Sequence, residues 1–171
     1  MAITEVLDVL PADYPNRDKV VALLQKTMQS VVDYQDKKTG VWYDVLDVKD
    51  NRNYLESTAS SMFAYVLLKG ARTGYLPESF RAAGIKAYNG IINNFIRVNA
   101  DKTISLTQCC AVAGLGPGIS AKVLKAAPKV KENKRRDGSF QYYLSEPVRD
   151  NDAKGVGPFI RASLEMEMLG F

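Results

Sequence analysis

Apolar positions recur at intervals of three and four over most of this chain, and the spacing changes character from one stretch to the next. Val20, Leu23, Leu24, Thr27, Met28, Val31 and Tyr34 share one side of a helix predicted over Arg17–Gln35. Arg17, Lys19, Lys26 and Asp33 are left to water on the other side. A second amphipathic helix is predicted over Glu78–Arg97, packed through Phe80, Ala83, Gly84, Ala87, Tyr88, Ile91 and Phe95. The helix predicted between them, Tyr54–Lys69, differs in kind. Met62, Phe63, Tyr65, Val66, Leu67 and Leu68 leave little of its second half fit for water, so it packs on more than one side. A short apolar helix over Ala2–Leu10 is stopped by Pro11. A last helix over Val156–Leu169 carries Pro158 in its first turn and buries Phe159, Ile160, Leu164, Met166, Met168 and Leu169. Outer and inner helices alternate, which implies two helical layers.

The interior helix has a readable start. Asn53 is placed to cap the first turn, and Glu56, three residues on, to reach back to it. Ahead of it lies an aromatic and acidic loop with Trp42, Tyr43, Asp44 and Asp47. From Val98 to Gly157 helical periodicity is mostly lost, and a long ordered loop region (98–157) is expected there. Thr103–Gln108 and Ser139–Tyr143 read as short strands, Gly114–Gly118 as a tight turn and Ala121–Lys125 as a helical turn. Loops this long in compact domains often line binding sites.

Bulk properties narrow the chemistry. A chain of 171 residues, 46% apolar, suits one domain with a sizeable core. No run approaches the roughly 20 apolar residues of a membrane span, and acidic residues stand near the start where a signal peptide needs basic ones, so a cytoplasmic protein is expected. The net charge of +4 draws partly on Lys129, Lys131, Lys134, Arg135 and Arg136, which read as a solvated basic loop rather than a nucleic-acid surface. Adjacent Cys109 and Cys110 lack the spacing of a zinc site. With no histidine, Ser-His-Asp and Cys-His arrangements are excluded within the chain. Gly114–Gly118 lacks the glycine spacing of a dinucleotide fingerprint.

Carboxylates beside aromatic rings remain, a combination suited to saccharides. Trp42 and Tyr43 offer flat faces for sugar rings, with a plug on the helix ends as the other reading of Trp42. Glu56 suits a site wall or a cap. Asp152 lies before the last helix with the same two readings, while Glu146 and Asp150 read better as structural. Lys154, followed by Gly155 and Gly157, is suited to meeting a carboxylate or phosphate near free helix N–H groups, with an outward lysine in a flexible loop as the other reading.

The runs EVLDVLP, LLQKTMQSVVDYQDKKTGVWYDVLD, NYLESTASSMFAYVLLKGARTGYL, CCAVAGLG and DGSFQYYLSEPVRDNDAKGVGPFIRASLEMEML together resemble the C-terminal half of the unsaturated rhamnogalacturonyl or glucuronyl hydrolases of glycoside hydrolase family 105. The resemblance implies an all-α fold, about half of an (α/α)6 barrel. Tyr54–Lys69 and Gly157–Leu169 become inner helices, Arg17–Gln35 and Glu78–Arg97 outer ones, and Ala2–Leu10 the tail of an inner helix. It further implies removal of a terminal Δ4,5-unsaturated uronic acid from pectin-type oligosaccharides, by protonation of the vinyl ether and addition of water, with no metal or organic cofactor. The family's catalytic aspartate and its pocket His, Arg and Trp belong to an N-terminal half absent here. The chain, one incomplete domain (1–171), is thus expected to supply one pocket wall, formed by Trp42, Tyr43, Glu56, Asp152 and Lys154, and to carry no catalytic residue. The open flanks of a half-ring are expected to self-associate or to pair with a separate N-terminal half. The alternative is a non-catalytic, self-associating half-barrel that binds saccharide or serves a structural role. A lyase or epimerase on the same fold is a third reading.

Overall fold

A computed structural model describes residues 1–116 and 136–170. Its helices are α1 (Ala2–Val9), α2 (Arg17–Asp33), α3 (Ser57–Arg72), α4 (Phe80–Phe95), α5 (Phe140–Ser145) and α6 (Ala153–Met168). Three two-stranded antiparallel ladders join them. These pair β1 (Trp42–Tyr43) with β2 (Leu55–Glu56), β3 (Ile96–Val98) with β4 (Ile104–Leu106), and β5 (Cys109–Cys110) with β6 (Val148–Arg149). The chain is a mostly helical, partial (α/α) toroid.

Helix α3 is the central element. Every residue from Ala64 to Ala71 is buried, because α4 and α6 pack along it and α1 and α2 reach it from other sides. The run of apolar residues that suggested an interior helix has this packing as its cause. Even Lys69 is buried, its ammonium held by Glu5, Asp8 and the Tyr65 hydroxyl. Helices α2 and α4 each bury one face only; on α2 that face is Leu24, Met28 and Val31, while Leu23, Thr27 and Tyr34, expected on it, are exposed.

Named contacts give the helix directions. Thr58, at the start of α3, lies against Gly155 at the start of α6, and Arg72, at the end of α3, holds Glu165 near the end of α6 through bonds of 2.6 and 2.8 Å. The two helices therefore run parallel. Helix α1 follows the same direction, with Glu5 bonded to Tyr65 and Lys69 and with Asp8 bonded to Lys69 and Tyr75. Helix α4 runs the other way: Gly84 sits on Leu67 and Leu68 late in α3, whereas Gly90 packs on Val41 beside the early turns. Parallel α1, α3 and α6 form the inner layer, and α2 and α4 the outer one.

Some boundaries differ from the pattern reading. Helix α3 begins at Ser57, not Tyr54, since Leu55–Glu56 is extended and paired with β1. Asn53 instead ties the preceding loop, bonding the Val45 N–H and the Val45 and Val48 carbonyls. Ser139–Tyr143 leads into a helix rather than a strand, because the Ser139 hydroxyl accepts the Tyr142 N–H as an N-cap. Helix α6 starts at Ala153, so Pro158 lies inside it and the loop region ends sooner. Ile160, Leu164 and Met168 are exposed where burial was expected, since none of the described elements covers that side of α6. The turn Ala121–Lys125, the end of Gly114–Gly118 and the basic residues Lys129–Arg135 lie outside the described residues.

Candidate functional site

The N-terminal ends of α3 and α6 emerge side by side, and one tract of chain staples them together. Glu56 caps α3, its carboxylate accepting the N–H groups of Thr58 (2.8 Å) and Ala59 (2.6 Å). The same carboxylate accepts the N–H of Cys110 on β5 at 2.8 Å. Strand β5 pairs with β6, and three residues after β6 the Asp152 side chain accepts the Lys154 N–H at 3.0 Å, capping α6. Asn151, with φ 56°, bonds Leu106 through both its backbone and its side chain. Two helix N-termini are thus held at one end of the inner layer, with first-turn N–H groups taken by Glu56, Gln108 and Asp152.

The residues singled out from sequence fall into two groups. Trp42 and Glu56 face one another across the β1–β2 ladder, as do Tyr43 and Leu55. Asp152 and Lys154 pair with each other, Nζ to Oδ1 at 2.7 Å, at the start of α6. Trp42 is 0% exposed: its indole N–H donates to the Val31 carbonyl at 2.7 Å and its ring meets Phe63 edge-on. The geometry is that of a plug between α2 and α3. Tyr43 points the other way along the strand and lines an open cleft of about 700 Å³ with Tyr34, Leu46 and Asn53. Glu146 is buried with Arg136 at 3.1 Å, and Asp150 makes a surface pair with Arg97.

Three further side chains gather at this end, of which the linear pattern had marked Asp44 only as part of an acidic loop. Asp44 follows β1, Tyr54 precedes β2 and Cys110 lies on β5, and only strand pairing brings them around Glu56. Burial, then the Glu56 charge, push the Asp44 carboxyl up to about 6, while the Tyr54 hydroxyl nearby works in the opposite direction. Burial also raises the Tyr54 phenol, helped by the Asp44 charge, and raises the Cys110 thiol. Asp44 Oδ2, Tyr54 Oη and Thr58 Oγ1 are enclosed polar atoms that close no hydrogen bond among the described residues. Asp152 titrates low, first because of its bond to the Lys154 ammonium and next because of the Lys154 N–H. No cluster of His, Cys, Asp and Glu among the described residues could hold a metal ion. What the arrangement offers is a carboxyl able to exchange a proton near neutral pH, a phenol and a thiol that keep theirs, and an exposed ammonium, Lys154, suited to an anionic group.

Fold and site together define a partial (α/α) toroid protein with its polar groups gathered at the N-terminal ends of the inner helices. The family model described as Glycosyl Hydrolase Family 88 matches residues 1–170, and the chain belongs to that family. Among solved structures it is similar to a family 105 glycoside hydrolase of C. acetobutylicum ATCC 824, at 41% identity and a TM-score of 0.85. That match covers 98% of this chain and 43% of the clostridial one, so the chain spans less than half of that relative's length. A glycosyl hydrolase family 88 protein from Bacteroides vulgatus shares the fold at 20% identity and a TM-score of 0.65, over 96% of this chain and 39% of that one. Among curated relatives, Protein Atu3128 of Agrobacterium fabrum is 34% identical over 176 residues, 99% of this chain and 68% of its own. No helix among the described residues is long and apolar enough to cross a membrane.

Proposed function

We propose that this chain corresponds to the C-terminal half of a family 105 type hydrolase and is one incomplete barrel domain lacking its N-terminal half. In this reading the joined ends of α3 and α6 form one wall of a pocket for a terminal Δ4,5-unsaturated uronic acid. The observation that carries the reading is the likeness to the clostridial glycoside hydrolase, along nearly the whole of this chain.

Within that pocket the Lys154 ammonium meets the uronate carboxylate, with Asp152 holding it in place. Tyr43 offers the sugar an exposed ring. Trp42 and Glu56 hold the wall from behind, the first by filling the space beneath β1 and the second by fixing three backbone N–H groups. A proton adds to C4 of the vinyl ether and water to C5, and the resulting hemiketal opens and releases the neighbouring sugar. The acid for that step belongs to the N-terminal half. The substrates are acidic unsaturated oligosaccharides of the pectin type.

The reading is tested with unsaturated galacturonyl-rhamnose by following loss of the ultraviolet absorbance of the C4–C5 double bond. This chain alone leaves the absorbance unchanged, and a chimera that joins it to the N-terminal part of the clostridial relative consumes the substrate. A folded chimera without activity contradicts the reading. One observation, the apolar stripe left open on α6, favours the second reading of a non-catalytic, self-associating half-barrel.

A further inference from the structure

Two helices bound the inner layer, α1 on one side of α3 and α6 on the other, and each leaves an apolar stripe uncovered. On α6, Ile160, Leu164 and Met168 are 53%, 48% and 61% exposed. On α1, Val6 and Val9 are 48% and 82% exposed. The spacings of three and four set each group on one side of its helix, away from the buried Leu7 of α1 and the buried Ala162 and Met166 of α6. The α6 stripe thus lies on the side of α6 away from α3, and on α1 Val6 lies away from Glu5 and Asp8, which meet α3, with Val9 between that edge and the Glu5 face.

We infer that these edges are the two halves of one interface, the α6 edge of one copy packing on the α1 edge of a second copy, twice, about a two-fold axis along the helices. Direction permits it, because α1 and α6 run parallel and a rotation about such an axis keeps every inner helix parallel. Register supports it. The Glu5–Arg161 bond of 2.5 Å puts those residues at about the same height, and the rise per residue is equal on both helices. Val6 then comes level with the gap between Ile160 and Leu164, and Val9 lies about one residue's rise past the level of Leu164. The small Val6 side chain meets the space between two large ones, as ridges meet grooves. The arrangement closes, since both stripes of both copies are covered, whereas α6 paired with α6 would leave each α1 stripe in water. Length agrees as well: the chain spans 43% of the solved clostridial chain, so two copies come close to one complete relative. The inference rests on the partial toroid and not on the saccharide reading.

Sedimentation velocity of the 171-residue chain tests it. The chain sediments as a dimer. Val6→Lys and Leu164→Glu each weaken the dimer at least about tenfold, with unchanged circular dichroism because both positions face solvent. The double variant V6K/L164E recovers the dimer, because each introduced cation meets an introduced carboxylate across both contacts. A monomeric wild-type chain overturns the inference and assigns the stripes to a segment outside this chain. A dimer indifferent to Val6→Lys, or one that the double variant fails to recover, overturns it equally.

Discussion

Gly155 of α6 lies so close to Thr58 of α3 that no side chain fits between the two helices. A Cβ on Gly155 would stand 3.0 Å from Thr58 Oγ1 and 2.8 Å from Cys109 Sγ. The approach brings two helix N-termini together beneath β5, and the proposed pocket wall follows from it. Gly155→Ala is therefore expected to lower stability by about 1–3 kcal/mol through overpacking, despite the better helix propensity of alanine. Urea unfolding measures the loss, and adding Cys109→Ala recovers part of it by removing the nearer contact.

Glu56 joins α3 to β5 by accepting three backbone N–H groups with its side chain 2% exposed. Glu56→Ala strands those donors and is expected to cost about 2–4 kcal/mol. Hydrogen exchange checks the location: the Cys110 and Ala59 amides lose protection, while amides late in α3 keep theirs up to the new global stability.

Asp44 and Glu5 act on stability in opposite pH windows. The folded Asp44 carboxyl titrates at about 6 against an ordinary 3.8, so the folded state binds the extra proton between those values and its stability falls as pH rises through them. Asp44→Asn is expected to raise the melting temperature at neutral pH and to leave it unchanged below about pH 4. Burial alone would raise the Glu5 carboxyl, but bonds from Tyr65, Arg161 and Lys69 outweigh it and hold the group at about 2 against 4.5. Its contribution is present above about 4.5 and is lost as pH falls toward 2. Glu5→Gln lowers the melting temperature at neutral pH, with the difference shrinking in acid; partial exposure of Glu5 keeps the effect modest.

Trp42 is the single tryptophan and has no exposed surface, so its fluorescence reports the plug. Emission is expected to be blue-shifted and insensitive to iodide in the folded chain. Trp42→Phe removes the donor to the Val31 carbonyl and costs about 1–3 kcal/mol, read by thermal unfolding.

The amphipathic helices were the most legible part of the chain. Leu24, Met28 and Val31 on α2, and Ala87, Ile91 and Phe95 on α4, are buried as their spacing requires, because each of these helices has one wet side. The start of α3 was harder: Asn53 and Glu56 have the spacing of a capping box, yet pairing of Leu55–Glu56 with β1 moves the cap to Glu56 itself. In Ser139–Tyr143 the aromatic residues suggest a strand, and the Ser139 cap decides for a helix. Glu56 and Asp152 stood out at helix starts, where local chemistry is visible in sequence. Asp44 was visible only as part of an acidic loop, and Tyr54 and Cys110 carried no sign of a site, since only strand pairing makes the three neighbours. The exposure of Ile160, Leu164 and Met168 was illegible for a related reason: helical spacing identifies an apolar face without saying which chain covers it.

In the proposed function the joined starts of α3 and α6 form a saccharide-binding wall. Amide chemical shifts recorded while the chain is titrated with unsaturated galacturonyl-rhamnose test it most directly. Changes are expected to gather at Tyr43, Thr58, Ala59, Cys110 and Lys154–Val156, with none at Lys86–Gly90 on the outer layer. Changes confined to the outer layer, or none with sugar in large excess, would contradict it.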